Sequence, residues 1–143
     1  MSVGDNMAIE WEKKYETGEE RIDKQHQNLF QMINNVEQML KMPQVEEEKL
    51  KDVLRFLTNY TRIHFVYEEF CMARVKCPLA EKNMVAHDKF MEALKDVERR
   101  FRSEGASRAL LVDIYDMASE WLVKHICKID TELKPAMRAY GDL

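Results

Sequence analysis

The chain has little of what interrupts a helix: among its 143 residues are only 4 Gly and 3 Pro. That scarcity excludes a loop-rich fold and leaves an all-helical class as the expectation. Cysteine is scarce too. Cys71, Cys77 and Cys127 are odd in number and lack C-x-x-C spacing, which argues against a disulfide framework or a thiolate zinc site and for free thiols in a reducing compartment. No stretch approaches the ~18 consecutive apolar residues of a membrane-spanning helix. The opening MSVGDNMAIEW has neither the basic start nor the apolar stretch of a secretion signal, so a soluble, cytoplasmic protein is expected. Basic charge is not in excess, since 22 Lys and Arg face 26 Asp and Glu for a net charge of −4. The whole chain therefore carries no electrostatic footprint for nucleic acid or an anionic membrane. One local cluster, Arg99, Arg100, Arg102 and Arg108, reads as a solvated helix end.

What is present suits a single domain over residues 1–143. Hydrophobic residues make up 45% of the chain, charged residues 34%, and ten methionines suit irregular core gaps. A chain of this length buries about 68–70% of its unfolded surface and needs no external staple.

Residues 1–18, with Ile9, Trp11, Tyr15 and the pair Thr17-Gly18, read as a packed, non-helical arm that closes one end of a bundle formed by 19–143. The first helix carries Ile22, His26, Leu29, Ile33, Val36 and Leu40 at three-then-four spacing and ends before Pro43. The second starts in Glu46-Glu47-Glu48 and runs through Leu50, Leu57 and His64 to about Val75. The third runs from Pro78 through Asn83, His87, Phe90 and Leu94 to Gly105. The fourth opens near Ser107, carries Leu111, Ile114, Ala118, Trp121 and His125, and is limited by Pro135. Short connections make an up-down-up-down antiparallel four-helix bundle the natural architecture.

All four histidines, His26, His64, His87 and His125, fall on the apolar stripes of different helices. An unpaired polar group in a core costs roughly 1–3 kcal/mol, so four at similar depth point to a shared partner, best a transition metal. A single buried histidine is usually a satisfied core residue, and an H-x-x-x-E pair is usually an i,i+4 contact. Coincidence on four stripes is far less common. Glu68 lies four residues beyond His64 on the same face; of the adjacent pair Glu68 and Glu69 one can be a solvated charge, and only Glu68 shares the His64 register. Asp130, five beyond His125, is taken to reach the same centre from near the helix end. Histidines with two carboxylates suit iron better than zinc. Phe65, Trp121, Leu122 and Ile126 are by default plain core. No Glu-x-x-His of a ferritin-like oxidase occurs, the nearest match being Asp23-x-x-His26.

The motifs Ile22-Asp23-x-Gln25-His26-x-x-Leu29, His64-Phe65-x-x-Glu68-Glu69, Pro78 leading to His87-Asp-Lys-Phe90, and Trp121-Leu122-x-x-His125-Ile126-x-x-x-Asp130 together resemble the bacterial hemerythrins over almost the whole chain. The resemblance implies a non-haem di-iron site that binds O2 reversibly, with two oxo- or hydroxo-bridged iron ions. It assigns His26 and His64 to one iron, His87 and His125 to the other, and Glu68 and Asp130 to the bridges. It also makes Phe65, Trp121, Leu122 and Ile126 the lining of an O2 pocket.

One departure stands out: the family has a third-helix histidine where this chain has Asn83. Three outcomes stay open: two irons completed by Asn83 or water, a weakly held second iron, or one metal or none. Oxygen carriage or storage is the expected role: the absence of Glu-x-x-His speaks against a ferritin-like oxidase, and these 143 residues hold no fused output domain of a sensor. The alternatives are an O2, NO or iron sensing or scavenging module, including peroxide chemistry, and a di-iron redox enzyme. The oligomeric state is open, and a monomer is compatible with the sequence.

Overall fold

In the computed structural model, which describes residues 9–140, the helical stripes fold into an antiparallel bundle. Its main helices are α1 (Glu20–Leu40), α2 (Glu47–Arg74), α3 (Ala80–Glu104) and α4 (Arg108–Lys128). Cross-helix pairs show the directions. Gln25 meets His64 and Asn28 meets Tyr60 between α1 and α2. Glu69 meets His87 and Thr58 meets Glu98 between α2 and α3, while Asn83 meets His125 and Arg100 meets Asp113 between α3 and α4. Residue numbers rise on one partner as they fall on the other in each case, so neighbouring helices run antiparallel, and Tyr115 with Glu37 closes the ring from α4 to α1.

The ends of the helices follow from local chemistry. The Glu19 carboxylate accepts from Ile22 N at 2.7 Å and caps α1, and Ser107 Oγ accepts from Leu110 N at 3.1 Å to cap α4. Gly105, at φ 78°, stops α3 in a conformation that a Cβ would strain. Arg108 is exposed at the start of α4 but does more than face solvent. Its guanidinium donates to Leu40 O and Met42 O, both at 2.5 Å, and so satisfies orphan carbonyls at the end of α1.

The core occupies most of the bundle length. Leu29, Ile33, Leu50, Leu94, Leu111, Ile114 and Ile126 are among its fully buried members, each worth about 1.5–3 kcal/mol against exposure. A smaller cluster, with Ile22, Met72, Val75, Leu133 and Met137, packs separately.

Two expectations need correction. The arm is not wholly non-helical, because Lys13–Tyr15 form a 3-10 turn that sets Trp11 and Tyr15 on Phe30 at 5.4 and 5.2 Å between ring centroids. Residues 1–8 of that arm lie outside the described residues. The fourth helix, in turn, does not continue to Pro135. The α-helical ladder ends at Lys128, a 3-10 turn covers Asp130–Glu132, and a further helix, α5 (Leu133–Tyr140), follows. Pro135 sits in the first turn of α5, where its missing N–H costs nothing.

Candidate metal centre

The helix stripes bring their histidines to one level. His26 of α1, His64 of α2, His87 of α3 and His125 of α4 are all buried, none more than 6% exposed. Glu68 and Asp130 join them at 0% and 1% exposure.

Glu68 divides its oxygens between two sides. Its Oε2 lies 3.2 Å from His26 Nε2 and 3.5 Å from His64 Nε2, while its Oε1 lies 3.0 Å from His87 Nε2 and 3.9 Å from His125 Nε2. Asp130 repeats the division, with Oδ2 at 3.2 Å from His26 Nε2 and Oδ1 at 3.0 Å from His125 Nε2. The reach of Asp130 depends on the break in the helix. On a continuous α-helix a residue five beyond His125 points roughly 140° away from it. The 3-10 turn after Lys128 turns the carboxylate inward instead.

These distances fit a cation. His26 Nδ1 and Nε2, Glu68 Oε2 and Asp130 Oδ1 are buried without a hydrogen-bond partner, although His26 Nε2 approaches both carboxylates. Buried polar atoms that lie this close together and stay unsatisfied are what a cation between them would satisfy. Two groups of donor atoms qualify by mutual distance: His26, His64 and Glu68 on one side, and Glu68, His87, His125 and Asp130 on the other. Imidazole nitrogens with carboxylate oxygens are a donor set that suits iron. The residues therefore fit the group that the sequence implies.

The electrostatics of the metal-free cluster show the same demand for positive charge. Burial works against the imidazolium form of His26, but the Asp130 and Glu68 carboxylates overcome it and push His26 up to about 9. The same balance takes His125 up to about 9. His64 goes the other way: burial, only partly opposed by Glu68, lowers it to about 3. Burial also disfavours the Glu68 carboxylate, yet the surrounding imidazoles, His64 foremost, hold it well below its usual range.

Asn83 is fully buried at the level of the histidines. Its Oδ1 accepts from His125 Nε2–H at 2.6 Å, and its Nδ2 is left without a partner. Met84 and Glu81 are exposed, so neither substitutes for it.

Aromatic rings pack over the same half. Phe65 stacks on His87 at 3.8 Å and 6°, and Trp121 stacks on His125 at 4.4 Å and 11°. Leu122 and Ile126 lie in the main core with Phe65. Trp121 is only half-buried and forms a wall of two surface grooves, one of which also reaches His125.

Two residues were not assigned a place at the centre from sequence. Gln25 Oε1 accepts from His64 Nδ1–H at 2.6 Å. Glu69, outside the His64 register, accepts from His87 Nδ1–H at 2.8 Å. The signal for both was their position next to a candidate ligand, which helical spacing alone does not distinguish from a surface position. Asp23, the nearest acid to a ferritin-like pattern, instead ties down the arm through Thr17 N, Thr17 Oγ and Gly18 N.

Helices that each contribute a side chain to a buried cluster of imidazoles and carboxylates define a class, the cation-binding four-helix bundle. Within that class the family is shown. The family model described as "Hemerythrin HHE cation binding domain" matches residues 17–137, and the chain belongs to the hemerythrin family. It is 23% identical over 130 residues to a bacteriohemerythrin of Stenotrophomonas maltophilia, covering 91% of this chain and 82% of that protein. A bacteriohemerythrin of Clostridium acetobutylicum is 23% identical over 124 residues, covering 85% and 95%. A myohemerythrin of Theromyzon tessulatum is 26% identical over 125 residues, covering 87% and 90%. Membership implies an O2-binding domain with a di-iron cofactor. Among the described residues, no helix is long and apolar enough to cross a membrane.

Proposed function

We propose that this chain is a non-haem di-iron protein that binds O2 reversibly, as a carrier or store, and is not an enzyme. The observation that carries this reading is the division of Glu68 between two imidazole pairs, Oε2 towards His26 and His64 and Oε1 towards His87 and His125. In this reading His26 and His64 hold one iron and His87 and His125 the other. Glu68 and Asp130 would serve both ions, and Asn83 or a water would stand where the third-helix imidazole is missing. The chemistry supplied by the bound pair is reversible two-electron exchange with O2.

The chain's own residues make that exchange reversible. Gln25 and Glu69 fix the tautomers of His64 and His87 so that each Nε2 faces inward. Phe65, Trp121, Leu122 and Ile126 keep water from the bound ligand, which slows the proton transfer needed for irreversible loss. Free Cys71, Cys77 and Cys127 support a cytoplasmic setting. No nucleic-acid or membrane partner is required, and a monomer suffices.

The test is metal content per chain by elemental analysis, with visible spectra of the reduced protein before and after air. Two irons per chain, and a band that appears with O2 and vanishes when O2 is removed, support the reading. One iron or none, or a change that does not reverse, overturns it. Asn83 favours a second reading, because an amide oxygen is a weaker donor to iron than imidazole and leaves the second ion more open to exchange. NO or peroxide scavenging or sensing then replaces carriage, and rapid irreversible oxidation in air is its signature.

A further inference from the structure

The two imidazoles with side-chain partners at Nδ1 are supported unequally. His64 donates to a neutral amide, Gln25, whereas His87 donates to a carboxylate, Glu69. A hydrogen bond to a charged acceptor is roughly twice as strong as one between neutral groups. An imidazole that donates to a carboxylate is also a better electron-pair donor at its opposite nitrogen.

The location of the charged partner matters. Glu69 serves the half of the cluster in which Asn83 stands at the level of the histidines. Its side chain is 27% exposed, against 0% for Glu68, so it keeps contact with water. The Phe65 ring lies against the face of His87, and Glu69 holds its outer nitrogen. Only one direction is left for His87 Nε2, towards Glu68 Oε1 at 3.0 Å.

We propose that Glu69 is a positioning residue that sustains the second metal position of this chain, offsetting there the imidazole that Asn83 does not supply. The proposal rests on the di-iron reading above. Glu69 touches neither metal nor O2; it acts through His87. The exposed acid next to a ligand is thus part of the centre's tuning, and the asymmetry between Gln25 and Glu69 answers the asymmetry between imidazole and amide.

The experiment is titration of the full metal-free chain with Co(II), read by its visible ligand-field bands. The proteins are wild type, Glu69→Gln, Glu69→Ala, Gln25→Ala and the double variant Glu69→Ala/Asn83→His. Wild type takes up two ions. Glu69→Ala weakens the second ion by about 10- to 100-fold and leaves the first unchanged. Glu69→Gln, which keeps an acceptor but not the charge, falls between them. Adding Asn83→His restores the second ion, and Gln25→Ala weakens the other one. The contact-shifted proton on His87 Nδ1 moves in Glu69→Gln, a signature that a merely structural role would not produce. Wild-type affinity for both ions in Glu69→Ala, or equal weakening of both, overturns the proposal. Fewer than two ions in wild type overturns the di-iron reading itself, and the proposal with it.

Discussion

Glu37 and Glu68 are both buried in this bundle, at 1% and 0% exposure, yet their surroundings differ in kind. Glu37 lies towards the far end of α1, where Tyr115 OH donates to its Oε2 at 3.3 Å and Lys41 Nζ, one turn along, lies 3.9 Å from its Oε1. The Lys41 side chain is 39% exposed, so that charge pair opens to solvent. Glu68 has no lysine or arginine among its ion-pair partners among the described residues. It faces the Nε2 atoms of four histidines, and its Oε2 has no hydrogen bond. A buried acid alone is therefore a poor marker of a site. An acid whose neighbours are themselves unsatisfied is a good one.

Replacing each acid separates the two cases. Glu68→Ala removes the oxygen donors shared by both imidazole pairs. Its metal affinity falls by more than the ~100-fold that marks loss of a supporting hydrogen bond alone, and elemental analysis then finds at most one ion per chain. Glu37→Ala leaves metal content unchanged but removes one buried acceptor of the Tyr115 hydroxyl, costing about 1 kcal/mol in denaturant unfolding of the metal-free chain. Loss of metal in Glu37→Ala, or full metal content in Glu68→Ala, breaks the contrast.

A smaller effect sharpens it through pH. In the metal-free chain His26 and His125 are raised from 6.5 to about 9, so their contribution to stability is complete below pH 6.5 and is lost as the pH rises through about 9. His64, lowered to about 3, acts only below 6.5 and does not enter this window. The unfolding midpoint of the metal-free chain therefore falls between pH 6.5 and about 9. With metal bound the imidazoles are neutral ligands and the fall disappears. Equal slopes with and without metal, measured in parallel denaturation series, count against the assignment of His26 and His125 to the centre.

Much of this arrangement is legible in the sequence because helical spacing carries it. His26, His64, His87, His125 and Asn83 lie on apolar stripes, and burial follows from the stripe. Glu68 follows from its register with His64. Asp130 does not follow from spacing, because five residues on an α-helix turn a side chain away; only the 3-10 turn after Lys128 brings it back, and that turn has no clear mark in the sequence. Glu69 misleads for a related reason, since a half-exposed acid on a helix looks the same whether or not it accepts from a ring on the neighbouring helix. Arg108 stands close in the chain to Arg99, Arg100 and Arg102, whereas its partners, Leu40 and Met42, come from a distant segment. Long-range pairings such as these depend on how the helices dock.

The break after Lys128 also divides the chain mechanically. The residues before it are anchored in the main core, whereas those after it are fastened by Leu133 and Met137 to Ile22, Met72 and Val75 in the smaller cluster. Asp130 hangs between the two anchorages. The final helix thus works as a clamp whose grip on a separate patch of side chains sets the aim of a carboxylate, and loosening that grip would be felt at the centre before it was felt in the bundle.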